Sequence, residues 1–257
     1  MIAFDAISTW QEQRAGQRRQ GLTLGFVPTM GALHDGHISL VKRSVADNAR
    51  TLVSVFVNPT QFDDPADLRA YPKTLEQDLA LVEAAGADFV LLPRAEDIYR
   101  DGYRYRVTEM SLAETLEGAH RPGHFDGVLT VVLKLLHIAA AEHAYFGEKD
   151  WQQLMLVRGM ANAFFLGTEI ITCATVRDAD GLALSSRNAR LSPRDREHAP
   201  LLHRVLSSAT TAGDAARELA TAGFTVDYVE DRDGRRLAAV RLGGVRLIDN
   251  VPLGGRA

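Results

Sequence analysis

Two imidazoles, His34 and His37, stand three residues apart in the stretch Phe26-Val27-Pro28-Thr29-Met30-Gly31-Ala32-Leu33-His34-Asp35-Gly36-His37. Imidazoles can carry or move a proton near neutral pH and can stabilise charge on a phosphate. The apolar run 24–27 reads as a buried strand, which Pro28 is expected to end because it has no N–H for a ladder. Gly31 and Gly36 let backbone pass close to a bound group. Apolar residues then return at helical spacing, predicting a helix over 37–48. A strand, a glycine-bearing loop and a helix of this kind are expected to present free N–H groups at the helix N-terminus, where a phosphate can bind. Three other readings stay open at this point. One is an ordinary turn with two surface histidines. A metal site lacks a third ligand at a supporting spacing, and the single cysteine is far off at Cys173. The spacing Gly31-x-x-x-x-Gly36 is that of a P-loop, but His37 and Ile38 replace its Lys and Ser/Thr.

Other chemistry-bearing residues lie downstream. Lys149 could hold a phosphate as a point charge, and Asp150 could accept from ribose hydroxyls; the alternative is an exposed ion pair of little consequence. Gln61 and Gln153 offer neutral amides that can bind a carboxylate or hydroxyl, or else are solvated loop residues. Leu184-Ser185-Ser186-Arg187-Asn188 sets two hydroxyls beside a guanidinium, whose fork of donors suits phosphate oxygens. A linker with a helix cap would look much the same.

These residues must be positioned by the elements between them. A helix is expected over 7–20, and further buried strands over 51–57, 89–92, 144–146 and 169–176. Helices are expected over 127–141 and 151–165, and Thr74-Leu75-Glu76-Gln77 has the capping-box pattern for one running to about Ala85. A strand over 103–110 is a further expectation. Strands alternating with helices predict an α/β fold with a parallel sheet, and ligands of such sheets sit beyond the carboxyl ends of the strands. The polar loops 28–37, 58–62, 147–153 and 177–187 all follow predicted strand ends. Beyond about Val176 the pattern changes to helices over 193–211 and 214–222 and short strands over 225–229, 237–242 and 245–248. Gly243-Gly244 marks a hairpin there. The expected domains are 1–176, a Rossmann-like sheet domain, and 177–257, a smaller α+β domain.

Net charge is −4 over 257 residues, which leaves no basic footprint for nucleic acid. One cysteine excludes an intrachain disulfide. With no signal-peptide pattern and no apolar run long enough to span a bilayer, a cytoplasmic protein without a membrane partner is expected.

Five blocks occur in order: Pro28-Thr29-Met30-Gly31 with His34 and His37; Asn58-Pro59-Thr60-Gln61-Phe62; Arg121-Pro122-Gly123-His124-Phe125; Phe146-Gly147-Glu148-Lys149-Asp150 with Gln152-Gln153; and Leu184-Ser185-Ser186-Arg187-Asn188. With them the chain resembles, over nearly its whole length, the pantothenate synthetase (pantoate–β-alanine ligase) family of the nucleotidyltransferase superfamily. His34-x-x-His37 is similar to that superfamily's HxGH-type signature, and 184–187 to its mobile KMSKS-type loop. The resemblance implies ATP-dependent condensation of (R)-pantoate with β-alanine through a pantoyl adenylate, releasing pyrophosphate and then AMP. It implies His37 and His34 as catalytic residues by the phosphates, with Lys149, Ser185, Ser186 and Arg187. Met30, Gly31, His34, His37, Gly147, Lys149, Asp150, Val176, Leu184, Ser185, Ser186 and Arg187 would bind ATP, and Gln61 and Gln153 pantoate. Tyr71 and Asp78 match positions near the substrates and Mg²⁺, with the ion carried mainly by the ATP phosphates. A homodimer and a closing C-terminal domain are also implied. Leu184 stands where many members have Met, Trp151 where Phe is commoner, and 228–241 looks shortened. A nucleotidyltransferase acting on a phosphorylated small molecule, or a nucleotide-sensing binding protein, would share the His34-x-x-His37 and 184–187 elements.

Overall fold

In the computed structural model, which describes residues 1–254, the chain divides into two compact units. The first comprises Met1–Glu148 and Gln152–Cys173; the second comprises Lys149–Trp151 and the chain from Ala174 onward. The expected boundary after Val176 therefore falls three residues late, and the short segment around Lys149 belongs with the second unit.

The first unit is a six-stranded parallel sheet with helices, a Rossmann-like arrangement. Its strands are β1 (Ile2–Phe4), β2 (Leu24–Thr29), β3 (Arg50–Val55), β4 (Phe89–Leu91), β5 (His143–Gly147) and β6 (Glu169–Cys173), in the order β1-β4-β3-β2-β5-β6. Leu24, Phe26, Val27, Leu52 and Val53 are fully buried, which is why their apolar runs read as strands. The sequence order reverses at β2, whose neighbours are β3 on one side and β5 on the other. Such a switch point opens a crevice outside the carboxyl ends of the strands. The loop carrying His34 leaves the end of β2, and Gly147 ends β5.

Pro28 does not end β2. The ladder runs on to Thr29, with Pro28 opposite Ser54 of β3. Pairing with β5 covers only Gly25 and Phe26. Pro28 thus lies beyond the part of β2 paired on both sides, where a missing donor loses no ladder bond. The helix after the loop is Asp35–Asp47, two residues earlier than its apolar pattern suggests. Its Leu40 and Val41 pack with Val27, Val53, Val82, Tyr145 and Cys173, seating the helix on the sheet. Each such buried aliphatic side chain stabilises by roughly 1.5–3 kcal/mol.

The expected strand over 103–110 does not form. Tyr103 has a positive φ of 61°, and the Val107 N–H donates to Thr130 Oγ1 at 2.9 Å instead of to a ladder.

The second unit has an antiparallel sheet of β7 (Thr225–Arg232), β8 (Arg235–Leu242) and β9 (Val245–Pro252). The expected helix over 193–211 is two, Pro193–His198 and Leu201–Ser208, separated at Pro200, which lacks a helical donor. The second stops where buried Arg236 takes the carbonyls of Ala209 at 2.6 Å and Thr210 at 3.3 Å.

Candidate active site

Met30, Gly31, His34 and His37 share the loop at the switch point. Gly31 has φ +77°, and a Cβ there would stand 3.0 Å from Asp78 Oδ2 and 3.1 Å from Val55. Both the backbone conformation and the space require glycine. The loop's shape is set from a distance. Asp78, buried in the helix Leu75–Ala84, accepts from Ala32 N–H at 3.0 Å and from Leu33 N–H at 2.8 Å, one through each carboxylate oxygen. Thr74 Oγ1 donates to the same carboxylate at 3.2 Å. Thr74 therefore does not cap its helix; no capping bond forms at that residue.

The two histidines are themselves capping groups. His34 is the N-cap residue, and its Nδ1 accepts from Gly36 N–H at 3.1 Å. The Nδ1 of His37 accepts from His34 N–H at 3.4 Å. With both Nδ1 atoms accepting, each neutral ring carries its proton on Nε2. The ring centroids lie 4.1 Å apart. The expectation of free backbone donors at this helix start needs correcting: Ala32, Leu33 and Gly36 have their N–H groups engaged.

Gln61 lies in the single 3₁₀ turn Pro59–Gln61 that follows β3, capped by Asn58. Asn58 is buried, and its Nδ2 donates to Gln61 Oε1 at 2.9 Å and to the Gly127 carbonyl at 3.3 Å. The Gln61 carbonyl meets His124 Nδ1 at 2.8 Å and accepts from Arg121 Nη2 at 3.4 Å. The Arg121-Pro122-Gly123-His124-Phe125 block thus supports the Gln61 turn, and His124 opens the helix His124–Ala139, three residues before the expected start at 127. Gly127 permits the approach: a Cβ there would sit 2.3 Å from the Thr60 carbonyl oxygen.

Gln153 and its neighbour differ. Gln152 is buried and fully engaged, donating to the carbonyls of Leu112 and Thr115, each at 2.8 Å, and accepting from Glu117 N–H at 2.9 Å. Gln153 is half-buried in the same helix, Trp151–Ala163. Gly147 borders open space, since a Cβ there would meet nothing within 4 Å.

Lys149, Asp150, Val176, Leu184, Ser185, Ser186 and Arg187 belong to the second unit. Lys149 Nζ stands 3.7 Å from Asp150 Oδ1, too long for a hydrogen bond. The Lys149 carbonyl accepts from Asn250 Nδ2 of β9 at 3.0 Å. Trp151 lies under the Arg235 guanidinium, 4.4 Å from its ring centroid. The larger indole therefore has a cation partner in its own unit. Arg235 also donates to Asn250 Oδ1 at 2.7 Å. Residues 176–184 form a hairpin rather than an open linker: Leu184 N–H donates to the Val176 carbonyl at 3.0 Å, and Arg177 bridges Ala183. Arg177 also pairs with buried Asp249 at 2.6 Å. Ser185 caps the turn Ser186–Arg190 by accepting from Arg187 N–H at 3.3 Å.

Asp78, which the resemblance sets near Mg²⁺, holds the loop through both its oxygens, Oδ2 accepting from Ala32 N–H and Oδ1 from Leu33 N–H. Among the described residues no group of three or more His, Cys, Asp or Glu could hold a metal ion. Asn58, which also accepts from Tyr99 O–H at 2.6 Å, and His124 support Gln61 without any local signal of that role: Asn58 is tied to Gly127 across 69 positions and His124 to Gln61 across 63.

The sequence profile of the family described as Pantoate-beta-alanine ligase matches residues 3–252. The chain is 52% identical over 242 residues to pantothenate synthetase of Bdellovibrio bacteriovorus, covering 94% of this chain and 96% of the relative. It is 50% identical over 250 residues to pantothenate synthetase of Legionella pneumophila, covering 97% and 99%. These relatives are matched almost end to end, so the C-terminal segment that looked shortened is not markedly shorter than theirs. Among solved structures, pantoate-beta-alanine ligase from Francisella tularensis, complexed with beta-gamma ATP and beta-alanine, superposes with a TM-score of 0.93 at 41% identity, over 98% of each chain. Pantothenate synthetase from Thermus thermophilus gives 0.88 at 39% identity, over 98% and 99%.

Proposed function

The chain belongs to the pantoate-beta-alanine ligase family, and on that premise we propose that it condenses (R)-pantoate with β-alanine, using ATP, to give pantothenate, AMP and pyrophosphate. The observation that carries this reading is the loop at the β2 switch point, where His34 and His37 are fixed with ring centroids 4.1 Å apart and each Nδ1 accepts a backbone N–H.

In the first step a pantoate carboxylate oxygen attacks the α-phosphorus. The new P–O bond forms as the bond to the bridging oxygen breaks, and pyrophosphate leaves with that electron pair. Negative charge builds on the departing oxygens. His34 and His37 are assigned to that charge, since fixed donors aimed at developing charge stabilise a transition state more than a ground state. Lys149, Ser185, Ser186 and Arg187 are assigned to the nucleotide by the family motif, together with Met30, Gly31, Gly147, Asp150, Val176 and Leu184. Gln61 and Gln153 are assigned to pantoate. In the second step the β-alanine amine attacks the acyl carbon, the C–O bond to AMP breaks, and the nitrogen gives up a proton. An acyl adenylate hydrolyses readily, so the 177–257 domain is proposed to close over it.

Mg²⁺ enters as the ion of the ATP complex, as part of the substrate, and no step is assigned to a protein-bound metal. A homodimer in the cytoplasm completes the proposal, with no nucleic-acid or membrane partner; no described helix is long and apolar enough to cross a membrane.

Pantoate labelled with heavy oxygen in its carboxylate tests the route. The expected result after one turnover, with β-alanine and ATP present, is label in AMP. Label in inorganic phosphate with ADP as product would overturn it. Pyrophosphate release without free AMP, the nucleotide staying on a phosphorylated acceptor, would point instead to nucleotidyl transfer.

A further inference from the structure

The amide of Asn58 faces hydrogen-bonding groups of four residues: Gly127, Tyr99, Thr60 and Gln61. The Gly127 carbonyl can only accept, so the atom of Asn58 that faces it, at 3.3 Å, must be the nitrogen. The other face of the amide is then the oxygen. It receives Tyr99 O–H at 2.6 Å, Thr60 Oγ1 at 3.0 Å and Thr60 N–H at 3.4 Å. Tyr99 and Thr60 also touch each other through their hydroxyls at 2.9 Å. The second N–H of Asn58 points to Gln61 at 2.9 Å, so Gln61 must turn its oxygen inward. Its NH₂ group is left to face outward as a pair of donors, and it makes no hydrogen bond to the described residues.

We infer that Tyr99 is a positioning residue which, with Thr60, locks the Asn58 amide and thereby makes Gln61 a donor-only group, selecting an acceptor-rich oxygen such as a carboxylate or an accepting hydroxyl. This rests on the proposed assignment of Gln61 to the acid substrate. The ordering reaches Tyr99 from outside the site. Lys134 Nζ donates to the Ile98 carbonyl and to Asp101, each at 2.9 Å, and stands 5.1 Å from the Tyr99 ring centroid. The ring also meets Tyr103 edge-on at 5.3 Å. Burial pushes the Tyr99 phenol up to about 12, so it keeps its proton at any working pH. Without the hydroxyl bonds the amide is held only by the longer contacts to the Gly127 carbonyl at 3.3 Å and Thr60 N–H at 3.4 Å, so a turned Asn58, with Gln61 following and setting an oxygen against the substrate's oxygens, costs less.

A double-mutant cycle on the full chain tests this, read by calorimetric titration of pantoate and, separately, ATP. Tyr99→Phe is expected to weaken pantoate about three- to tenfold, the range of one lost hydrogen bond, and to leave ATP within about twofold. In a Gln61→Ala background, Tyr99→Phe is expected to change pantoate affinity by less than about twofold, because it acts only through Gln61. Thr60→Val should repeat the pattern and Thr60→Ser should restore wild-type binding, which keeps the test decisive if the tyrosine variant folds poorly. An equal effect of Tyr99→Phe in both backgrounds, or equal weakening of ATP and pantoate, would overturn the inference and leave the function standing. Unchanged pantoate affinity in Gln61→Ala alone would overturn the assignment of Gln61 to the acid, and this inference with it.

Discussion

Leu33 N–H lies 2.8 Å from Asp78 Oδ1, across 45 positions of sequence. With the companion bond from Ala32, this one carboxylate shapes the loop that delivers both imidazoles. Asp78→Asn would set an NH₂ donor against one of two backbone donors. The chain is expected to lose about 1–3 kcal/mol of stability, measured by urea unfolding. Adenylation should slow as well, and added Mg²⁺ should not rescue it. Rescue by Mg²⁺ would return Asp78 to the role of a metal ligand.

His37→Ala is expected to slow the adenylation step by about a hundredfold or more, the loss that follows from the proposed assignment of its ring to charge developing only in the transition state. Single-turnover pyrophosphate release measures it. His34→Ala should slow the same step and also loosen the helix start, since the cap on Gly36 goes with the ring. A lost cap lowers stability by about 0.5–2 kcal/mol. A wild-type rate in His37→Ala would leave that residue only its place in the cap.

The adjacent glutamines should separate cleanly. Gln153→Ala is expected to weaken pantoate more than ATP, by roughly 1.5–3 kcal/mol if it holds a charged oxygen. Its melting temperature should barely move. Gln152→Ala removes three hydrogen bonds from a buried side chain and strands two carbonyls and an N–H. It should lower the melting temperature markedly. Thermal unfolding beside calorimetry reads both, and a larger melting shift for Gln153→Ala would contradict the distinction.

Asp101 is held well below the usual carboxylate range by a hydrogen bond from Tyr105 N–H and then by Lys134. The folded state therefore binds fewer protons than the unfolded chain in that window, and stability rises with pH through it. The Asp101 contribution is complete above the unfolded value of about 4 and is lost as pH falls toward the folded one. Asp101→Asn is thus expected to lower the melting temperature at pH 6 by more than at pH 3. A difference independent of pH would show that the charge of Asp101 does not stabilise the fold.

The amino-acid sequence by itself determined the parallel sheet, the kind of second unit and the family. Buried strands such as those read at 24–27 and 51–57 announce themselves because apolar runs are a local property, though their ends, at Thr29 and Val55, do not. The motif blocks are local too, so they could be read without knowing what touches what. Only the tertiary structure decided which polar atoms remain available. The backbone donors of the His34 loop looked ready for phosphate until Asp78, from another helix, was seen to take two of them. Thr74 matched a capping pattern, yet its hydroxyl turns to Asp78. Gln152 and Gln153 are the same residue type one position apart, and helix geometry alone buries one and leaves the other half-buried. A hydrogen-bond donor is free or engaged according to a partner that can lie anywhere in the chain. Residue type cannot tell the two apart until the fold brings the partners within about 3 Å.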